Sequence, residues 1–320
     1  MRWRWLLVLC VACVPSLAAQ PPVVPRADVV FTGMCDASGA VPLTDSLFAV
    51  ADDEANLLRI YDARGGAPLH SSDVSERLGI RREMDIEGAT RIGQLGFWIT
   101  SHGRNSAGKS RPERLRFFAT TAPARAAPLE VVGTPYLRLL DDLFADSRFA
   151  RFGLQAAAEL PPKAAGGLNV EGLTARAEGG AFIGFRSPTP GARALLVALL
   201  NPADVVRGRR ARFGDPILLD LGGLGIRALA SWRGRYLIVA GHHSNEAASQ
   251  LYTWDGRAAP KRRLEFAGFN PEGFFTPEAR DEVMLLSDDG SLPIDGVPCK
   301  AQKDAAKKRF RGRWLTIRER

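Results

Sequence analysis

A short motif recurs along this 320-residue chain and restricts the folds that the chain can adopt. Most copies place an acidic residue directly before a glycine and a few small or apolar residues, and one copy carries arginine instead of the acid. The copies are Asp36–Gly39, Asp85–Thr90, Asn169–Thr174, Gly225–Ala230 and Asn270–Phe275. They lie about 50 residues apart, except for one longer interval, and a period of this length is typical of propeller blades.

Strand-like runs follow every copy of the motif in the same order. The second strands are predicted at Leu47–Val50, Gly96–Thr100, Ala181–Phe185, Tyr236–Val239 and Val283–Ser287. The third strands are predicted at Leu57–Tyr61, Arg114–Ala119, Ala194–Leu200, Gln250–Trp254 and Arg313–Ile317. Fourth strands are predicted at Glu130–Val132, Pro216–Asp220 and Arg263–Phe266, while Ala27–Phe31 would complete the last unit from the N-terminus.

The repeat predicts an all-β protein, a single β-propeller domain over residues 27–320 with five blades. Six blades are the alternative if the long interval hides a weak blade. Within that interval, apolar residues from Tyr136 to Phe144 recur at helical spacing, and Pro161-Pro162 ends the segment. We therefore predict one amphipathic helix, inserted at about residues 135–162 and packed against the side of the propeller.

The N-terminus predicts export. Arg2 and Arg4 precede the apolar run Leu6–Val14, and the small residues Ser16 and Ala18 form a cleavage site, so residues 1–19 are interpreted as a signal peptide. The expected location is periplasmic or extracellular. The apolar run is too short for a transmembrane span, and no later segment qualifies.

Two cysteines remain after such cleavage, Cys35 near one end and Cys299 near the other. In an exported protein this pair predicts a disulfide that joins the chain ends; two unrelated buried thiols are the alternative.

The motifs place charged residues where the innermost strands of a propeller would converge. Glu87, Glu171 and Glu272 would line the channel, with Asp36 and Arg227 completing a ring at its mouth. Asp36 and the three glutamates are candidate ligands of a divalent cation, above all Ca²⁺, which prefers oxygen ligands. Crowded carboxylates also raise one another's pKa values, which makes Glu87 and Glu171 candidate catalytic residues.

The loops after the second strands would lie on the same face as the motifs, because successive strands are antiparallel. They supply His102 as a further candidate catalytic residue, and Arg104, Arg186 and His242 as candidate substrate ligands together with Arg227. In the alternative interpretation, each glutamate bonds backbone N–H groups or pairs with Arg227 and only holds the blades together.

The motif order resembles a bacterial family called domain of unknown function 3616. The resemblance is carried by Asp36–Gly39, Asp85–Thr90, Asn169–Thr174, Gly225–Ala230 and Ser287–Gly290. More distantly, the glutamate–glycine motifs resemble those of the esterase-like phytase propellers, which would imply a phosphoester or carboxylester hydrolase. Arg227 departs from that pattern at one ring position.

Three functional hypotheses follow from these residues. The first is a metal-dependent hydrolase of an anionic phosphoester or ester. The second is a non-catalytic propeller that binds a small anionic ligand or a cell-envelope component, and the third is a structural scaffold. Although the net charge is +8, export disfavours a nucleic-acid partner, and we expect a monomer.

Overall fold

The computed structural model describes residues 23–52, 54–244 and 248–318, so the predicted signal peptide lies outside the described residues. Five four-stranded sheets are present in this part of the chain, and they form the five blades of a propeller. The predicted fold and blade number are therefore confirmed.

Strand β1 (Val24–Thr32) precedes the first blade and belongs to the last one. Blade 1 consists of β2 (Ala37–Pro42), β3 (Leu47–Asp52), β4 (Leu57–Asp62) and β5 (His70–Asp73). Blade 2 consists of β6 (Ile86–Ile92), β7 (Leu95–Thr100), β8 (Phe117–Thr121) and β9 (Val131–Tyr136). Blade 3 consists of β10 (Asn169–Ala175), β11 (Ala181–Ser187), β12 (Ala194–Leu199) and β13 (Ile217–Leu219).

Blade 4 consists of β14 (Gly225–Trp232), β15 (Arg235–Gly241), β16 (Gln250–Trp254) and β17 (Lys261–Glu265). Blade 5 contains β18 (Pro271–Phe275), β19 (Glu282–Ser287) and β22 (Arg309–Thr316), with β1 as its outer strand. A small hairpin, β20 (Pro293–Ile294) and β21 (Val297–Pro298), lies between β19 and β22.

Helices are short in the described residues. The α-helices are α1 (Ser75–Leu78), α2 (Leu139–Phe144), α3 (Leu154–Ala157) and α4 (Pro202–Val205). The 3₁₀ segments are Pro112–Arg114, Ser147–Phe152, Pro190–Ala192 and Cys299–Ala301. None of the helices in the ranges given above is long and apolar enough to cross a membrane.

The predicted insertion differs from one continuous helix. It contains α2, a 3₁₀ segment and α3, because Asp146 caps the 3₁₀ segment and Gly153 then adopts a left-handed conformation with φ of 62°. Its apolar side is nevertheless buried, since Leu139, Leu143 and Leu154 pack into the core between blades 2 and 3.

The ring is closed by the N-terminal strand. Strand β1 pairs antiparallel with β22, so Phe31 lies opposite Phe310 and their rings stack with centroids 4.8 Å apart. Asp28 accepts a hydrogen bond of 2.6 Å from Arg313 across the same pair. The disulfide between Cys35 and Cys299 joins the two chain ends beside this closure, as the sequence predicted.

Every innermost strand contains a β-bulge at the recurring motif. The pairing register skips Glu87, Glu171, Arg227 and Glu272 in blades 2 to 5, and it skips Ser38 and Gly39 in blade 1. A bulge changes the direction of a side chain and often lies near a functional site. The motif therefore places one side chain per blade at the same level of the channel wall.

The glycine after the bulge is required by the close approach of neighbouring blades. A Cβ atom at Gly39 would lie 2.5 Å from the backbone nitrogen of Ala89, and one at Gly273 would lie 2.4 Å from the carbonyl oxygen of Ser38. Any larger residue would push the inner strands apart, which explains why glycine recurs beside the charged positions.

We expect loss of the disulfide to destabilise the closed ring. The bond links residues 264 positions apart, so the substitution of both Cys35 and Cys299 by serine should lower the free energy of unfolding by about 2–5 kcal/mol. Urea unfolding measures this difference. Dithiothreitol should destabilise the parent protein and leave the double variant unchanged; equal stability of the two proteins would contradict the prediction.

Candidate functional site

A cavity of about 800 Å³ occupies the central channel. It is lined by the innermost strands of all five blades and by residues of the hairpin tips that follow them, 43–45, 93, 176–177, 233–234 and 276–278. Glu87, Glu171 and Glu272 lie at the opposite, inner end. Because tip residues such as Asp45 and Glu278 are exposed, the cavity opens at the tips rather than beside the glutamates.

Two arginines fill the inner end of the channel and neutralise two glutamates. Arg186 donates a 2.7 Å hydrogen bond to Oε1 of Glu171, while Arg227 contacts Glu272 and places its Nε 3.7 Å from Oε2 of Glu171. Burial and then the charge of nearby Arg186 lower the pKa of Arg227, against the opposing effect of Glu171, to about 10, so the guanidinium remains charged at neutral pH. These contacts join blades 3, 4 and 5.

Glu87 occupies the same bulge position but differs in its environment. Within the described residues its carboxyl group has no hydrogen-bond or ion-pair partner, and the side chain lines the cavity. Burial raises its pKa well above the ordinary value, and the nearby carboxylates of Glu171 and Asp85 add to that shift, against the opposing effect of the two arginines. The raised pKa favours the protonated form of Glu87 at the inner end of the cavity.

The three glutamates thus meet as the sequence predicted, whereas Asp36 lies elsewhere. The bulge of blade 1 carries Ser38, and Asp36 aligns with Asp85, on the far side of the glutamates from the cavity. Asp36 instead forms an isolated bridge with Asp288 of blade 5. The aligned motifs contain a signal for this difference, because the residue before each glycine is Ser38 in blade 1 and Glu87 in blade 2.

Asp36 lies beside Asp288 of blade 5. Asp288 accepts hydrogen bonds from the backbone nitrogen of Gly290 at 2.9 Å and from Asn270 at 3.2 Å. Burial, followed by the charge and hydrogen bond of Asp288 and the charge of Glu54, raises the pKa of Asp36 to about 8. Lys300 opposes this shift.

His102 is buried outside the cavity lining. Its Nδ1 lies 2.8 Å from the carbonyl oxygen of Thr100 and must donate to it, which leaves Nε2 as a buried acceptor without a hydrogen-bond partner. Burial lowers its pKa to about 4, so the ring is neutral at pH 7. The ring lies beside apolar residues of blade 3 and α2, including Val170 and Leu139.

Two other predicted ligands also lie away from the cavity. Arg104 donates to the carbonyl oxygen of Ala158 and pairs with Glu159, which fixes the helical insertion. The carbonyl oxygen of His242 accepts a hydrogen bond of 2.6 Å from Arg186, while its ring contacts Ser244. Sequence reasoning missed Asn169 and Asn270, which donate to Glu171 and Asp288 respectively.

No group of three or more His, Cys, Asp or Glu side chains is arranged to hold a metal ion in the described part of the chain. The candidate ligands Glu171 and Glu272 face arginines, and Asp36 faces Asp288. Calcium binding therefore stays a prediction that the geometry does not favour.

The fold and the site define a five-bladed propeller whose central cavity ends at Glu87, a glutamate without an ion-pair partner among the described residues. Residues 118–267 match the family described as "Protein of unknown function (DUF3616)", and the resemblance predicted from the motifs is confirmed. No curated protein sequence matches the chain.

Solved structures show distant similarity. The PQQ-bound aldose sugar dehydrogenase of Streptomyces coelicolor has 14% identity and a TM-score of 0.44, covering 91% of this chain and 100% of that chain. The exo-β-1,3-galactanase of Phanerochaete chrysosporium with galactose has 9% identity and a TM-score of 0.49; the match covers 92% of this chain and 64% of the galactanase chain. The Cps50 β-propeller domain of Myceliophteria thermophila has 9% identity and a TM-score of 0.43; the match covers 93% of this chain and 100% of the Cps50 domain. These values carry no functional argument.

The Asp36–Asp288 pair predicts a loss of stability with rising pH. The folded state raises the pKa of Asp36 from about 4 to about 8, so the folded protein holds a proton that the unfolded chain releases, and stability falls between these pH values. We expect Asp36→Asn to raise the melting temperature at pH 9 and to change it little at pH 4.

Thermal unfolding at both pH values measures this effect. Substitution of the exposed Glu130 by glutamine is the matched control, and it should behave as the parent protein does. An Asp36→Asn variant with the parent's pH dependence would show that Asp36 is already ionised in the folded protein.

Proposed function

We propose that this protein is an exported binding propeller that takes a small polar ligand into its central cavity. The observation that carries the proposal is Glu87, a carboxyl group with a raised pKa and no partner among the described residues, at the inner end of a cavity of about 800 Å³. Cavities of a few hundred to a thousand Å³ accommodate small molecules, and a few polar groups fix the ligand orientation in them. The disulfide supports export, because such bonds persist in oxidising compartments.

The neighbouring charges support a ligand role for Glu87 rather than for the other glutamates. Glu171 and Glu272 are held by Arg186 and Arg227, so their charges stabilise the contacts between blades. Glu87 can donate a hydrogen bond from its protonated carboxyl group, and a buried donor without a protein partner is satisfied by a ligand or by water.

Two substitutions of Glu87 test the binding proposal. A thermal-shift screen of small sugars, organic acids and amino acids identifies ligands, since a ligand at a hundred times its dissociation constant stabilises the protein by about 2.7 kcal/mol. We expect Glu87→Ala to weaken binding about tenfold, because a donor is lost. Glu87→Gln, which still donates, should preserve binding and remove its decrease at high pH.

Glu130→Gln is the control for changes in surface charge. Equal ligand affinity in the parent and the Glu87→Ala variant would show that Glu87 does not contact the ligand and would contradict the proposal. A screen that finds no stabilising compound would also contradict it.

A second candidate function, ester or phosphoester hydrolysis, is favoured by the pair formed by Glu87 and Glu171. Oε2 of Glu171 is buried and accepts no hydrogen bond in the described residues, and the nearby Glu87 has a raised pKa that favours its protonated form. Two carboxyl groups with different pKa values can divide the acid and base roles. Glu87 would protonate the leaving oxygen, and Glu171 would take a proton from the attacking water.

The Glu87→Gln variant distinguishes hydrolysis from ligand binding. A glutamine cannot supply the proton, so turnover of p-nitrophenyl acetate or p-nitrophenyl phosphate should fall about 10²–10⁴-fold in Glu87→Gln and in Glu171→Gln. Activity of the parent should persist at neutral pH and decline as pH rises through the raised pKa of Glu87. No turnover by the parent, or equal turnover by both variants, would exclude this candidate.

A further inference from the structure

The charged residues at the open end of the cavity are divided by sign between two groups of blades. Arg91 of blade 2, Arg176 of blade 3 and Arg235 of blade 4 line one side. Asp45 of blade 1 and Glu278 of blade 5 line the other. The inner strands contact one another in the order of the blades, and β18 contacts β2, so each group is continuous around the channel.

Arg91 and Arg176 on the basic side contact backbone carbonyl oxygens, an aromatic ring and one exposed carboxylate. Arg91 donates to the carbonyl oxygens of Pro42 and Leu43, at 3.3 and 2.8 Å, which are neutral acceptors. Arg176 donates to the carbonyl oxygen of Gly179 and lies 5.0 Å from the ring centroid of Phe182. Its acidic neighbour Glu178 is 3.6 Å away but 70% exposed, so solvent screens that pair.

The acidic side is held in place at the same level. Oδ1 of Asp45 accepts a 2.9 Å hydrogen bond from the backbone nitrogen of Ala279, which links the tips of blades 1 and 5. The carboxylate of Glu278 has no hydrogen-bond or ion-pair partner among the described residues, and the residue is exposed. A negative charge therefore faces the basic side across the opening.

We propose that the cavity selects a ligand with both charges, a short peptide with free ends, whose carboxylate lies toward Arg91 and Arg176 and whose ammonium group lies toward Asp45 and Glu278. This inference rests on the proposed binding function and names its ligand class. The planar guanidinium matches a carboxylate, and opposite charges at two fixed places specify the orientation of the bound molecule. A neutral or singly charged molecule would leave one side without a counter-charge.

Blocked peptides test the two sides separately. Calorimetric titration of the purified protein should show binding of trialanine, about tenfold weaker binding of N-acetyl-trialanine and about tenfold weaker binding of trialanine amide, because each blocked end loses one charge-assisted contact. Glu278→Gln should weaken trialanine and its amide and leave N-acetyl-trialanine unchanged. Arg176→Gln should weaken trialanine and its N-acetyl form and leave the amide unchanged.

The controls separate failure of this inference from failure of the binding function. Glu130→Gln should bind all three peptides as the parent does, and the melting temperatures of the unliganded variants report whether they fold. Equal affinity for free and blocked peptides, or no binding of trialanine, overturns the peptide assignment. If maltotriose or citrate binds instead and depends on Glu87, the binding function stands without this ligand class; if the screen and all peptides fail, both fall.

Discussion

The close approach of the five inner strands is the constraint on which the rest of the structure depends. At the bulges of blades 1, 2 and 5 a glycine allows a close approach to the neighbouring backbone, as at Gly39 against Ala89 and Gly273 against Ser38. The bulge in turn directs one side chain per blade to a common level of the channel. The same few residues therefore determine the width of the ring and the chemistry at its centre.

That geometry brings charged groups close together, so the stability of the ring depends on how they are paired. Buried carboxylates are costly unless they are paired or protonated. Arg186 and Arg227 pair with Glu171 and Glu272, so the contacts between three blades include ion pairs. Glu87 has no such partner among the described residues, and its pKa is raised, which favours the protonated form. One position of the ring thus becomes available to a ligand, while the other charged positions stabilise the propeller.

The two ends of the channel have different roles. On the side of the loops, the disulfide, the Asp36–Asp288 pair and the pairing of β1 with β22 close the ring. On the side of the hairpin tips, the cavity is open and bordered by charged residues. The disulfide thus lies at the end of the channel opposite the cavity opening, while the contact of Asp45 with Ala279 joins blades 1 and 5 at the open end.

The sequence by itself predicted five blades, with six as the alternative, the closing strand and the convergence of three glutamates, because each depends on a local pattern that is repeated along the chain. It predicted the disulfide from the single pair of cysteines outside the signal peptide. It did not determine that Asp36 leaves the ring, since the bulge register of blade 1 places Ser38 there. Nor did it determine which glutamate is free or where the cavity opens. Which glutamate lacks a partner depends on which arginines reach each carboxylate, and the cavity opening depends on how the hairpin tips are placed. Only the tertiary structure decides such contacts.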